Sequence, residues 1–256
     1  MKLKKMAIVS AALAGSLWNL AASAQFTYNP GDLFVGFRTA GGSTDLIVDL
    51  GGPGSINTSA VNGTLLSSVF GGLDGIYWSV FGYQSPQNNL FTTSARTDIS
   101  QPTDPTPSSG FSGQGIVISY MQGILNGAVA NGTALSSSMV EISSGLNQSG
   151  NISYSVGVMT LQGAGHEGDF RGSWSTVENF TGSGFAGGGI PSVSDLYLNA
   201  PGNPLTTVGT FQGNFSLGTD GSLTFSPVPE PSMGLVFGAG MLVLVVVRRI
   251  GGGNRS

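Results

Sequence analysis

The chain has 256 residues, 42 glycines, no cysteine and 9% charged side chains, against about a quarter in ordinary soluble domains. The absence of cysteine removes disulfides, thiol nucleophiles and zinc–thiolate sites from consideration. Residues 25–231 hold three arginines, no lysine and thirteen acids, a net charge of −10, which argues against binding nucleic acid or anionic lipid, since both need cations in quantity.

In chain order, "MKLKK" is a basic start, followed by the apolar "MAIVSAALAGSLWNLAA". Ala22-Ser23-Ala24 then supplies the small-residue pattern of a signal-peptidase site, so cleavage is expected between Ala24 and Gln25 and the protein is expected to be exported. "GDLFVGFR" places Leu33, Val35 and Phe37 on one face of a strand. "TDLIVDLG" places Leu46, Val48 and Leu50 on one face, with Asp45 and Asp49 opposite as a solvent-facing polar row. In "NTSAVNGTLLSSVFG", Val61, Leu65, Leu66, Val69 and Phe70 follow helical spacing, with Asn57 or Thr58 as the cap. "GIYWSVFGYQ" is apolar on both faces, Ile76, Trp78 and Val80 against Tyr77, Phe81 and Tyr83, which predicts a central strand covered on both sides.

"SQPTDPTPSSG" reads as a surface loop because three prolines fit neither a ladder nor a helix interior. "QGIVISYMQGILNGAVANG" fits either a strand followed by a helix or one helix. "NISYSVGVMTLQ" alternates Ile152, Tyr154, Val156 and Val158, which predicts a strand. In "GTFQGNFSLGTDGSLTFSP" the alternating apolar residues break at Asp220-Gly221, a hairpin signal. Seven or more short strands with one or two short helices predict a mainly β fold: a single antiparallel β-sandwich or jelly-roll-like domain.

Chemistry is sparse. "GAGHEGDFRGSW" gathers His166, the sole histidine, with Glu167, Asp169 and Arg171. A hydrolase would use His166 as general base, or as a metal ligand with Glu167 and Asp169. The interleaved glycines favour a solvated loop instead, and no second histidine exists to complete a transition-metal site. Calcium suits exported acidic loops better, but neither "GLDGIYW" nor "GTDGS" has EF-hand spacing, so no cofactor is assigned. Asp45 and Asp49, about 13 Å apart along a strand, are too distant to share a proton.

The last thirty residues run from "PVPEPS" through an apolar segment into "VVVRRIGGGNRS". Val228-Pro229-Glu230-Pro231, the apolar stretch and Arg248-Arg249 together resemble the PEP-CTERM sorting signal of exported bacterial proteins. "GDLFVGFRTAGGSTDLIVDLG" and "YWSVFGYQ" also resemble the ectodomains of uncharacterised members of that group. The resemblance implies recognition by an exosortase, an integral-membrane, cysteine-protease-like sorting enzyme, with processing near Pro229-Glu230-Pro231. It also implies a Gram-negative host that makes extracellular polysaccharide, in biofilm or floc. Physics is compatible: Met233 to Val247 would span about 22 Å as a helix, short against the roughly 30 Å hydrocarbon layer. Arginines 248 and 249 would stop the segment on the cytoplasmic side.

The expected organisation is a signal peptide over 1–24, a β-rich exported domain over 25–226 and a sorting signal over 227–256. Within the last lie the motif at 228–231, a transmembrane helix over about 232–247 and a basic tail over 248–256. The expected role is a non-enzymatic surface or extracellular-matrix protein, transiently inserted in the inner membrane. The alternative is a glycan-binding module using Tyr77, Trp78, Tyr83 or Trp174 as stacking platforms, although Trp78 reads as core.

Overall fold

A computed structural model describes residues 24–96, 98–100, 111–162, 177–200 and 209–228. Twelve strands and three α-helices lie in them: β1 (Leu33–Thr39), β2 (Thr44–Gly51), α1 (Gly63–Phe70), β3 (Ile76–Gln84), β4 (Asn89–Ala95), α2 (Phe111–Asn131), β5 (Thr133–Ser136), β6 (Met139–Ser143), β7 (Asn147–Gln148), β8 (Asn151–Ile152), α3 (Tyr154–Gln162), β9 (Asn179–Phe180), β10 (Ser192–Asn199), β11 (Thr210–Leu217) and β12 (Leu223–Pro227). The fold is mainly β and antiparallel, as expected.

It is not two stacked sheets. One sheet runs β12-β11-β10-β4-β3-β1-β2-β6-β5, with β9 pairing to β3 beside Tyr77 and Trp78, and β7-β8 form a separate ribbon. A sheet this wide curls under its own twist, here into a half-barrel. Leu46 and Val48 from β2 join Phe215, Leu217 and Leu223 from the opposite end in one inner core, with Trp78 and Val80 between them. Helix α1 closes the open side, its first residue Gly63 packing against the β11–β12 turn at Asp220 and Gly221.

The outer face is covered by helices. Val117, Met121, Ile124, Leu125 and Ala128 form one buried stripe along α2, the spacing of a helix with a single packed side. That stripe meets Phe34, Ile47, Phe81, Val140 and Ile142 of the sheet and Tyr154 and Val158 of α3. β1 and β3 are therefore covered on both sides, as the sequence of β3 predicts.

Of the two readings left open for residues 111–131, the structure has the single helix. Three local expectations are corrected. The cap of α1 is Asn62, whose Oδ1 accepts the Leu65 amide at 3.0 Å, and the helix ends at Gly71 with φ 78°. "NISYSVGVMTLQ" is a short strand followed by α3, because Ser153 caps a helix there: its Oγ accepts the Val156 amide at 3.1 Å. Asp45 does not face solvent; it is fully buried beneath α3. The β11–β12 hairpin and its Asp220-Gly221 turn match the expectation, with Gly221 at φ 77°.

Candidate functional site

Chemistry-bearing side chains concentrate between the sheet and the helices. Gly36 on β1 leaves room for the first residue of α3: a Cβ at Gly36 would overlap the Tyr154 ring. The Tyr154 ring stacks on Phe81 with centroids 5.9 Å apart, and its hydroxyl meets Ser79 Oγ at 2.7 Å. Beside it, Asp45 Oδ2 accepts the Ser155 amide at 2.6 Å and Oδ1 the Ser155 hydroxyl at 2.5 Å. The carboxylate thus caps the N-terminus of α3 from another strand, where amide protons and the helix dipole favour a negative group. Burial pushes the Asp45 pKa up, against the pull of the two Ser155 hydrogen bonds.

Arg38 Nε donates to Glu178 Oε1 at 2.9 Å, and its Nη2 binds the other oxygen. The guanidinium lies 4.4 Å from the centre of the Tyr77 ring, which packs in turn on Phe180 at 4.5 Å. Burial, and next the Glu178 charge, push the Tyr154 hydroxyl well above its usual pKa, so it stays a neutral hydrogen-bonding group. Arg96 is bound to Asp195 of β10, Nε to Oδ1 at 2.8 Å. Both described arginines are therefore committed to buried carboxylates. These groups satisfy one another, which is the pattern of a structural pin rather than a proton-transfer centre.

A different kind of site opens where the 28–31 segment, the end of β3 and the middle of α2 meet. It is a cleft of about 270 Å³. Phe34, Phe81, Met121 and Leu125 form its base, and Tyr28 and Tyr83 its half-buried walls; Asn29, Ser85 and Gln122 are exposed around it. The Tyr28 and Phe34 rings meet edge to face at 5.6 Å. No charged side chain lines it. Of the aromatic platforms expected from sequence, only Tyr83 is here. Trp78 is fully buried, its Nε1 donating to Ser192 Oγ at 2.9 Å, Tyr77 is engaged by Arg38 and Phe180, and Trp174 lies outside the described residues.

The expected acids are distributed rather than convergent. Asp49 is raised to about 6, first by burial and also by the neighbouring Asp32 carboxyl. Its partner is thus Asp32, not Asp45, a pairing between β2 and the residue that precedes β1, with no sequence signal. Asp74 accepts the Gly184 and Ala186 amides at 2.9 and 3.0 Å, and Asp220 accepts Ser222 N and Oγ. In the two acidic turns weighed for calcium, the carboxylates thus accept protein amides and hydroxyls, Asp74 from the distant 184–186 segment and Asp220 from its own turn. Among the described residues no group of three or more His, Asp or Glu is placed to hold a metal. His166, Glu167, Asp169 and Arg171 lie outside the described residues, as do Ala22, Pro229, Glu230, Pro231, Arg248, Arg249 and the expected membrane helix.

The two ends of the described region are defined. Ala24 and Gln25 are exposed, whereas Phe26 is buried and the Thr27 amide donates to Ser137 O at 3.0 Å. At the other end, β12 is an edge strand ending at Pro227, and Val228 is 39% exposed. Among the described residues no helix is long and apolar enough to cross a membrane. No family model, curated protein or solved structure matches the chain.

Proposed function

We propose that this is an exported, non-enzymatic surface or extracellular-matrix protein delivered by its C-terminal segment. The observation that carries the reading is the ordered conjunction at the C-terminus: Val228-Pro229-Glu230-Pro231, an apolar stretch over about 232–247, then Arg248 and Arg249, all behind a signal-peptide pattern cleaved before Gln25. The partner is an exosortase-type membrane protease, met while the apolar stretch sits transiently in the inner membrane. The product resides at the cell surface or in a polysaccharide matrix, and the β-rich part over 25–226 is the cargo.

Features of the fold support the reading. Among the described residues, burial begins at Phe26, just after the expected cleavage point. Edge strand β12 ends at Pro227, and the exposed Val228, the first residue of the motif, follows it directly. The test is the mature C-terminus and cellular location of the protein, measured by mass spectrometry and fractionation with and without the sorting enzyme. The expected result is a shortened, externally located form only when the enzyme is present. Full-length protein held in the inner membrane in both strains would leave a simple anchor and overturn the reading.

A further inference from the structure

The cleft between the 28–31 segment, β3 and α2 is independent of how the protein is delivered, and its chemistry is specific. We propose that it binds a single neutral sugar ring. Size comes first: an apolar cavity of about 150 Å³ takes one benzene, so 270 Å³ accommodates one six-membered ring with its substituents, not two rings.

Polarity decides the kind of ring. Tyr28, Phe34, Phe81 and Tyr83 offer aromatic surface, whose electron-rich faces attract the weakly positive C–H groups of a pyranose. Around them, the side chains of Tyr28, Asn29, Tyr83, Ser85 and Gln122 make no hydrogen bond to the described residues. A purely apolar ring would strip water from these groups without replacing it, at a cost. A polyhydroxylated ring presents donors and acceptors along its edge and an apolar face to the aromatic base. Charge excludes the ionic sugars: no cationic side chain lines the cleft, and residues 25–231 carry a net −10, so a uronate or sugar phosphate would meet repulsion without a partner. With one ring and no charge pair, affinity falls in the millimolar range.

Saturation-transfer NMR on the purified full chain tests this with D-glucose, D-galactose and N-acetyl-D-glucosamine as probes, beside D-glucuronate and phenol. At least one neutral sugar is expected to receive saturation, strongest at the C–H protons of one ring face, and glucuronate is expected to bind at least about threefold more weakly. Tyr83→Phe keeps the ring and removes the hydroxyl, and Gln122→Ala alters an exposed helix position. Each should weaken the sugar about 3- to 10-fold with an unchanged melting temperature, so neither depends on a variant that fails to fold. Absence of transfer to all three neutral sugars at about 50 mM, well above a millimolar Kd, overturns the proposal. Sugar binding unchanged in both variants does so too, as does phenol binding while the sugars do not.

Discussion

The two faces of the curled sheet are built on different principles. The inner face closes on itself: Val35, Phe37, Leu46, Trp78, Phe215 and Leu217 meet across the half-barrel, and α1 fills the gap. The outer face is covered instead by a lid, which α2 and α3 supply. A lid brought from elsewhere in the chain must be positioned, and hydrophobic contact alone has no direction. Direction comes from the pins: Asp45 on the α3 N-terminus, Tyr154 seated over Gly36, and Arg38 clamped to Glu178. The same face carries the cleft. The inner face is therefore where stability is concentrated, and the outer face is where specificity resides.

The most severe way to break this contrast is Trp78→Ala, which empties the inner core and leaves Ser192 Oγ without its donor. A loss of about 3–5 kcal/mol is expected, read from the denaturant midpoint, with no selective change at the cleft. Next is Glu178→Gln. Removing one charge of a buried pair leaves Arg38 uncompensated and costs about 3 kcal/mol, with hydrogen-exchange protection falling first in α3 if the outer pins act locally. Gly36→Ala sets a methyl against the Tyr154 ring. It should cost about 1–3 kcal/mol, and pairing it with Tyr154→Phe tests whether ring or hydroxyl holds the helix.

The smallest effect concerns pH. Asp49 rises from 3.8 to about 6 in the folded protein, so the folded state binds its proton more tightly than the unfolded chain. Its stabilising contribution is complete below pH 3.8 and is lost as pH rises through about 6. Asp49→Asn keeps a side-chain oxygen for the Gly51 amide, which Asp49 Oδ1 accepts at 2.7 Å, and removes the charge. The melting temperature of the variant should be flatter across that window and higher than that of the native chain above it. A native profile without that slope would show that neither burial nor the nearby Asp32 raises the Asp49 carboxyl in the folded chain.

Much of the inner face was legible because its strands alternate strictly. Leu33, Val35 and Phe37, and Leu46, Val48 and Leu50, share one face in sequence and in space. β3 announced its double coverage through apolar residues at both parities. β4 and β10 were silent: Thr92, Thr93, Ser94, Ser194 and Asp195 are buried in the middle of the sheet, and buried polar strands carry no periodic signal. α3 was misread because Tyr154 and Val158 fit a period of two as well as a spacing of four. Burial of Asp45 rests on Ser155, 110 residues away, and the cleft joins residues from three separate segments. Such groupings are products of the topology and leave no local trace.

The commitment of the two described arginines also bears on how the protein is degraded. Residues 25–231 contain no lysine, so a trypsin-like protease can cut only after Arg38, Arg96 and Arg171. Arg38 sits within β1 with its side chain 9% exposed, and Arg96, just beyond β4, has a side chain 10% exposed and bonded to Asp195. Cutting at either needs the sheet to open first. Digestion by such an enzyme after Arg38 or Arg96 therefore reports on opening of the sheet.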